Sequence, residues 1–131
     1  MNIVILSGHL VGTPTCREQP SGATSWALDV ATDLDGPTAM ASGLSAGRVS
    51  VPVVWSCETV PPAWARDTEV VVTGVVRRRF FRSGGATQSR TEVVAASVVE
   101  VTKRRPAARA IARALASLGA DDQATLRSAA G

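Results

Sequence analysis

The chain has 131 residues, of which 45% are hydrophobic and 19% charged, with 11 Gly and 7 Pro, and its mean hydropathy is +0.13. This is the composition of one folded domain, large enough to bury about two thirds of the surface of its unfolded chain without help from a metal or a disulfide. It excludes a membrane helix, since no run approaches about 18 uninterrupted apolar residues. The formal net charge is +3, but residues 1–102 carry eight arginines against nine acids, while residues 103–131 carry six basic residues against two acids. The body is therefore close to neutral and the basicity sits in the tail.

In chain order, alternation from Ile3 to Val11 predicts a first strand, ended by Thr13-Pro14-Thr15. No basic segment leads it, and Gly8 and His9 interrupt it, so a secretory signal is not expected. Pro20-Ser21-Gly22 is a turn by composition. Ala23 to Thr32 follows as a second strand with Trp26, Leu28 and Val30 on one face, which places Trp26 in the core. Residues 33–47 are small or helix-breaking and exceed the usual loop of about 4 to 6 residues, so a long loop is predicted between the second and third strands. Arg48 to Cys57 reads as a third strand, and Pro61-Pro62 allows at most a short helical turn before Trp64. Trp64 fits either the barrel mouth or a subunit contact.

The fourth strand, Thr68 to Arg82, alternates strictly, with Val71, Thr73, Val75, Arg77, Arg79 and Phe81 on one face. Ser83-Gly84-Gly85-Ala86 is a hairpin tip and Ser89 to Thr102 the fifth strand. Five strands with one long loop predict an all-β fold, a small closed five-stranded barrel over residues 1–102. Residues 103–131 are a separate basic tail, in which Ala107 to Leu118 has helical spacing and both helix and disorder stay open.

Four arginines, Arg77, Arg78, Arg79 and Arg82, surround Phe80 and Phe81. Cations for phosphates beside flat faces for unpaired bases are what a single nucleic-acid strand requires; a solvated hairpin end is the plain alternative. Chemistry of other kinds has no support. Cys16, Cys57 and the single His9 make neither a zinc site nor a disulfide framework, and free thiols in a reducing cytoplasm are expected. Asp121-Asp122 reads as a solvated pair, Gly84-Gly85 lacks a phosphate-loop lysine, and no nucleophile has its orienting partners. No enzyme, cofactor or bound metal is expected.

Several stretches in this order and spacing resemble the bacterial single-stranded DNA-binding protein family, whose domain is an OB-fold. They are Met1 to Leu10, Pro14, Pro20-Ser21-Gly22, Leu28-Asp29-Val30-Ala31, Val53-Val54-Trp55, Val72-Thr73-Gly74 and Thr91-Glu92-Val93-Val94-Ala95. The resemblance implies a homotetramer of OB barrels that wraps single-stranded DNA. It implies base stacking on Trp55 and Phe81 and phosphate contacts from Arg77 and Arg79. To these the charge pattern adds Arg82 as a further phosphate contact, with Arg90, Arg104 and Arg105 adding electrostatic reach. RNA is a possible strand as well, because stacking and phosphate contacts do not distinguish the sugar.

Two departures qualify what is carried over. Val49 and Val51 stand where the family's third strand presents a Trp and a basic residue, so weaker binding is expected. The acidic, Pro-Phe-ending tip that docks replication and repair enzymes is not found at 121–131, so recruitment by that route is not expected and an accessory paralogue in replication, recombination or repair is. The competing reading, from a different class, is a structural or protein-interaction barrel whose row Val49, Val51 and Val53 forms an exposed interface.

Overall fold

The computed structural model describes residues 1–34, 36–43, 47–57 and 59–117. The elements in chain order are β1 (Val4–Leu10), β2 (Thr15–Glu18), β3 (Thr24–Leu34), α1 (Gly36–Ala41), β4 (Gly47–Trp55), β5 (Glu69–Ser83), β6 (Ala86–Glu100) and α2 (Arg104–Ala116). Neighbouring strands run β1-β5-β6-β4-β3-β2, and β1 also pairs with β3. That second pairing closes the ring β1-β5-β6-β4-β3 into a five-stranded barrel, with β2 as a short strip added to β3. All pairings are antiparallel except β4 with β6.

Closure depends on where β1 leaves one neighbour for another. It pairs with β5 from Val4 to His9 and with β3 at His9 and Leu10. Gly8 sits at that change, and a Cβ there would overlap the Ala31 carbonyl oxygen. A second tight passage is Gly74, where a Cβ would overlap the Val94 carbonyl oxygen. There the β5–β6 register shifts from Thr73 opposite Ser97 to Gly74 opposite Ala95, an added residue on β6 that bends the sheet into the barrel.

Inward-facing aliphatic side chains fill the barrel: Leu10, Leu28, Val30, Val53, Val70, Val72, Val93 and Val98 are buried with Trp64. Between β4 and β5 the chain makes turns, one with Trp64 N–H donating to the Pro61 carbonyl, and no helix forms there. Trp64 occupies the barrel end, its indole Nε1 donating to Glu100 Oε1 at 2.5 Å, so of its two expected placements the mouth is the one adopted.

The five barrel strands lie where the alternation predicts them, and both cysteines are free thiols. Four details differ from expectation. β2 is a strand where a break was read; all four of its residues are exposed, so it has no apolar phase to detect. β6 starts at Ala86, directly after a Gly84-Gly85 turn in which both residues have positive φ, the geometry of a two-residue hairpin. The long loop between β3 and β4 contains α1. Finally, α2 begins at Arg104 and tolerates Pro106 because that residue falls in its first turn. α2 packs on β5 and β6 through Ala107 and Ala110. Asp121 and Asp122 lie outside the described residues.

The row Val49, Val51 and Val53 is not the exposed interface anticipated by the protein-interaction reading. Val53 is 1% exposed and belongs to the core, Val51 packs against it, and only Val49, 39% exposed, reaches the surface. β4 pairs on both edges, so one of its faces has to fill the barrel.

Candidate nucleic-acid interface

The barrel ladders end near Gly74 on β5 and Val93 on β6. Beyond them the two strands continue as a hairpin paired only to itself, with cross-strand partners as far as Ser83 opposite Ala86. Its alternation sorts the arginines and the aromatic rings onto two faces. One face carries Arg77, Arg79 and Phe81 opposite Glu92, Arg90 and Gln88 respectively. The other carries Arg78, Phe80 and Arg82 opposite Thr91, Ser89 and Thr87. Five arginines and one glutamate thus fall between positions 77 and 92.

Glu92 organises the first face. Its side chain is 2% exposed; its Oε1 accepts a hydrogen bond from Arg77 Nη2 at 2.7 Å and lies 3.5 Å from Arg79 Nε. A buried carboxylate is costly unless paired, and here two guanidinium groups supply the pairing. Those groups keep 48% and 44% of their side chains exposed, so each still offers N–H donors outward. Glu92 therefore acts as an anchor that holds two arginines in place.

The face as a whole carries three arginines, Arg77, Arg79 and Arg90, against the one glutamate, so positive charge is in excess. Arg79 stands directly opposite Arg90, a like-charge cross-strand pair that disfavours the hairpin by itself. Arg79 also lies over the Phe81 ring at 5.6 Å, and on the other face Arg78 lies over Phe80 at 5.7 Å. These cation–π contacts hold both guanidiniums beside flat apolar surfaces. Phe80 is 65% exposed, whereas Phe81 is half-buried, so Phe80 is the more open ring.

Arg77, Arg79, Arg90 and Glu92 line a groove of about 220 Å³ together with Arg17 and Glu18 from β2 and Trp26 from β3, four arginines against two glutamates. Trp26 packs against the core, as expected from its face of β3. Its indole Nε1 is buried with no hydrogen-bond partner, an unusual state for a buried donor.

Of the six residues singled out from the sequence, Arg77, Arg79, Phe81 and Arg90 share this face, and of these the three arginines also line the groove. Arg82 is exposed on the opposite face. Trp55 is elsewhere. It lies on the Val53 side of β4, half-buried, with its ring stacked on Trp64 at a centroid distance of 6.0 Å and an interplanar angle of 17°. One of its faces is thereby covered. Sequence reasoning missed Glu92 as the anchor, Arg17 as a groove residue and Phe80 as the open ring. The signal for Glu92 was present, since a two-residue Gly84-Gly85 turn sets the register that puts Glu92 opposite Arg77.

Among the described residues no group of three or more His, Cys, Asp or Glu side chains could hold a metal ion, and no helix is long and apolar enough to cross a membrane. The arrangement offers cations, N–H donors and aromatic faces, which suit an extended polyanion with flat bases.

No protein-family profile matches the chain, and no curated protein matches it. Among solved structures it is similar to a Plasmodium falciparum SSB in complex with ssDNA, with a TM-score of 0.63 over 76% of this chain and 94% of that one, at 14% sequence identity. That likeness concerns the fold, and it identifies the closed five-stranded barrel as an OB-fold.

Proposed function

We propose that this OB barrel is a sequence-independent single-stranded DNA-binding protein, acting without catalysis as an accessory factor in replication, recombination or repair. The observation that carries the reading is the hairpin face on which Arg77 and Arg79 share one buried carboxylate, with Arg90 opposite Arg79 and Phe81 on the same face. An excess of like charges beside an aromatic ring is relieved by phosphates and extended by a stacked base. Phe80 and Arg82 on the opposite face give the strand a second side of the hairpin to follow, and half-buried Trp55 is the remaining stacking position. The fold it shares with an SSB that was solved on ssDNA supports the same reading. Val49 and Val51 add neither ring nor charge to β4, so affinity is modest. A homotetramer in the cytoplasm is part of this proposal. The protein-interaction reading loses its motive, since the valine row is mostly buried.

The test is a titration of intrinsic tryptophan fluorescence with oligo-dT, with duplex DNA of equal phosphate content and oligo-U as parallel arms, at two salt concentrations. Trp26 in the groove and Trp55 near the barrel end are the reporters. Quenching by oligo-dT that weakens with salt and is absent with duplex supports the proposal. Equal response to duplex, or none to any strand, contradicts it, and preference for oligo-U redirects it to RNA.

A further inference from the structure

We infer that helix α2 continues the nucleic-acid path, taking the phosphates of the same single strand on a stripe formed by Arg105, Arg109 and Arg113. The inference rests on the single-strand reading above and adds a second contact surface to it. Three observations carry it.

First, the three arginines recur at i, i+4 and i+8, on one side of the helix. The buried residues Ala107 and Ala110 hold another side against the barrel, and Arg113, three residues after Ala110, lies at its edge. All three arginines are exposed, and among the described residues none of them makes an ion pair. Second, no acid occurs anywhere in 103–117. Like charges four residues apart disfavour a helix, and a face serving only solubility would gain stability from interspersed acids. The repulsion is relieved by a polyanion lying along the stripe.

Third, one end of the stripe meets the face of β5 that leads to the hairpin. Arg113 lines a cleft between α2 and the sheet together with Thr73 and Val75. Thr73, Val75, Arg77 and Arg79 succeed one another on the same face of β5. Val75 therefore separates the last arginine of the helix from the first arginine of the hairpin. Side chains on one face repeat about every 6.6 Å along a strand, and residues four apart repeat about every 6 Å along a helix. Cations thus recur at similar steps along the hairpin face, at Arg77 and Arg79, and along α2, at Arg105, Arg109 and Arg113, with the uncharged Val75 between the two runs.

The experiment compares the parent chain with the triple variant Arg105→Gln, Arg109→Gln, Arg113→Gln. Each is titrated across a salt series with two lengths of oligo-dT, taken from the ends of the span covered by one OB barrel, about 4 and about 16 nucleotides. Duplex DNA of matched length is a third probe. Circular dichroism confirms that the exposed substitutions leave α2 folded. The expected result is that the parent binds the long strand more tightly than the short one, that the variant binds the short strand as the parent does, and that its advantage on the long strand is lost. The logarithmic salt slope on the long strand should fall by about 2, at about 0.7 per phosphate contact removed.

Identical binding of parent and variant at both lengths overturns the inference and leaves the hairpin site standing, as does equal weakening at both lengths, which is the effect of overall charge. A loss confined to duplex also overturns it, in favour of a duplex-binding helix. If the parent binds neither length, the single-strand reading itself has failed, and the helix path fails with it.

Discussion

At the level of single residues the hairpin depends on an asymmetry between Glu92 and its two arginines. The carboxylate is buried, whereas the guanidiniums are half in solvent. Removing an arginine strands a charge, while neutralising the glutamate releases two cations that water can still solvate. Arg77→Ala should therefore lower stability by about 2 kcal/mol, less than the loss of a sole partner because Arg79 remains. Glu92→Gln, which keeps a polar side chain of the same size, should cost about 1 kcal/mol. Urea denaturation of both variants checks the order, and a Glu92→Gln protein less stable than Arg77→Ala would show that the anchor is wrongly assigned.

The cysteines give a second residue-scale prediction. Burial pushes the Cys57 thiol above its usual range, and the neighbouring Cys16 acts in the same direction. A raised pKa means less thiolate at any given pH, so alkylation of Cys57 should be slow near neutrality and accelerate only at more alkaline pH, whereas exposed Cys16 reacts first. Peptide mapping after timed iodoacetamide treatment across pH distinguishes the two.

At the scale of elements, the two glycine passages hold the barrel closed. Gly8→Ala and Gly74→Ala each force a Cβ onto a backbone carbonyl, so the strands have to separate locally. Each should destabilise by about 1 to 3 kcal/mol, whereas Gly12→Ala, where a Cβ meets nothing, should be close to neutral. Equal effects at Gly12 and Gly8 in thermal melts would remove Gly8 from the closure.

The same elements show which parts of the structure were readable in the sequence. β5 was legible because one face packs inside the barrel while the other changes from α2-facing to solvent-facing, and each change leaves its period-2 trace. β2 was not, because all its residues are exposed and its only requirement is backbone pairing to β3. The strand positions of the arginines followed from alternation alone. The burial of Glu92 did not, because it comes from the curvature that folds the β2–β3 side of the sheet toward the hairpin, and curvature leaves no periodic signal. Trp55 and Trp64 are nine positions apart in turn-rich sequence, so their stacking likewise awaited the tertiary structure.

For the whole molecule, charge is segregated by architecture. The barrel interior is aliphatic, the hairpin carries five arginines and Glu92, and α2 carries arginines without any acid. Outside the hairpin, residues 1–102 carry three arginines against eight acids, so a net acidic body with two basic projections binds a polyanion through those projections, and its affinity falls steeply with salt in proportion to the phosphates they neutralise. Because Glu92 holds part of the charge of Arg77 and Arg79, the hairpin's contribution to that slope should be smaller than its five arginines suggest.

The most direct test of the hairpin face is equilibrium binding of labelled oligo-dT, across a salt series, to the parent and to the double variant Arg79→Gln, Phe81→Ala, with thermal melting as the control for folding. Loss of one stacking platform should weaken binding by about 1 to 3 kcal/mol, and loss of one phosphate contact should lower the logarithmic salt slope by about 0.7, with the barrel still folded. An intact variant that binds with the parent's affinity and slope would contradict the assignment of this face to nucleic acid.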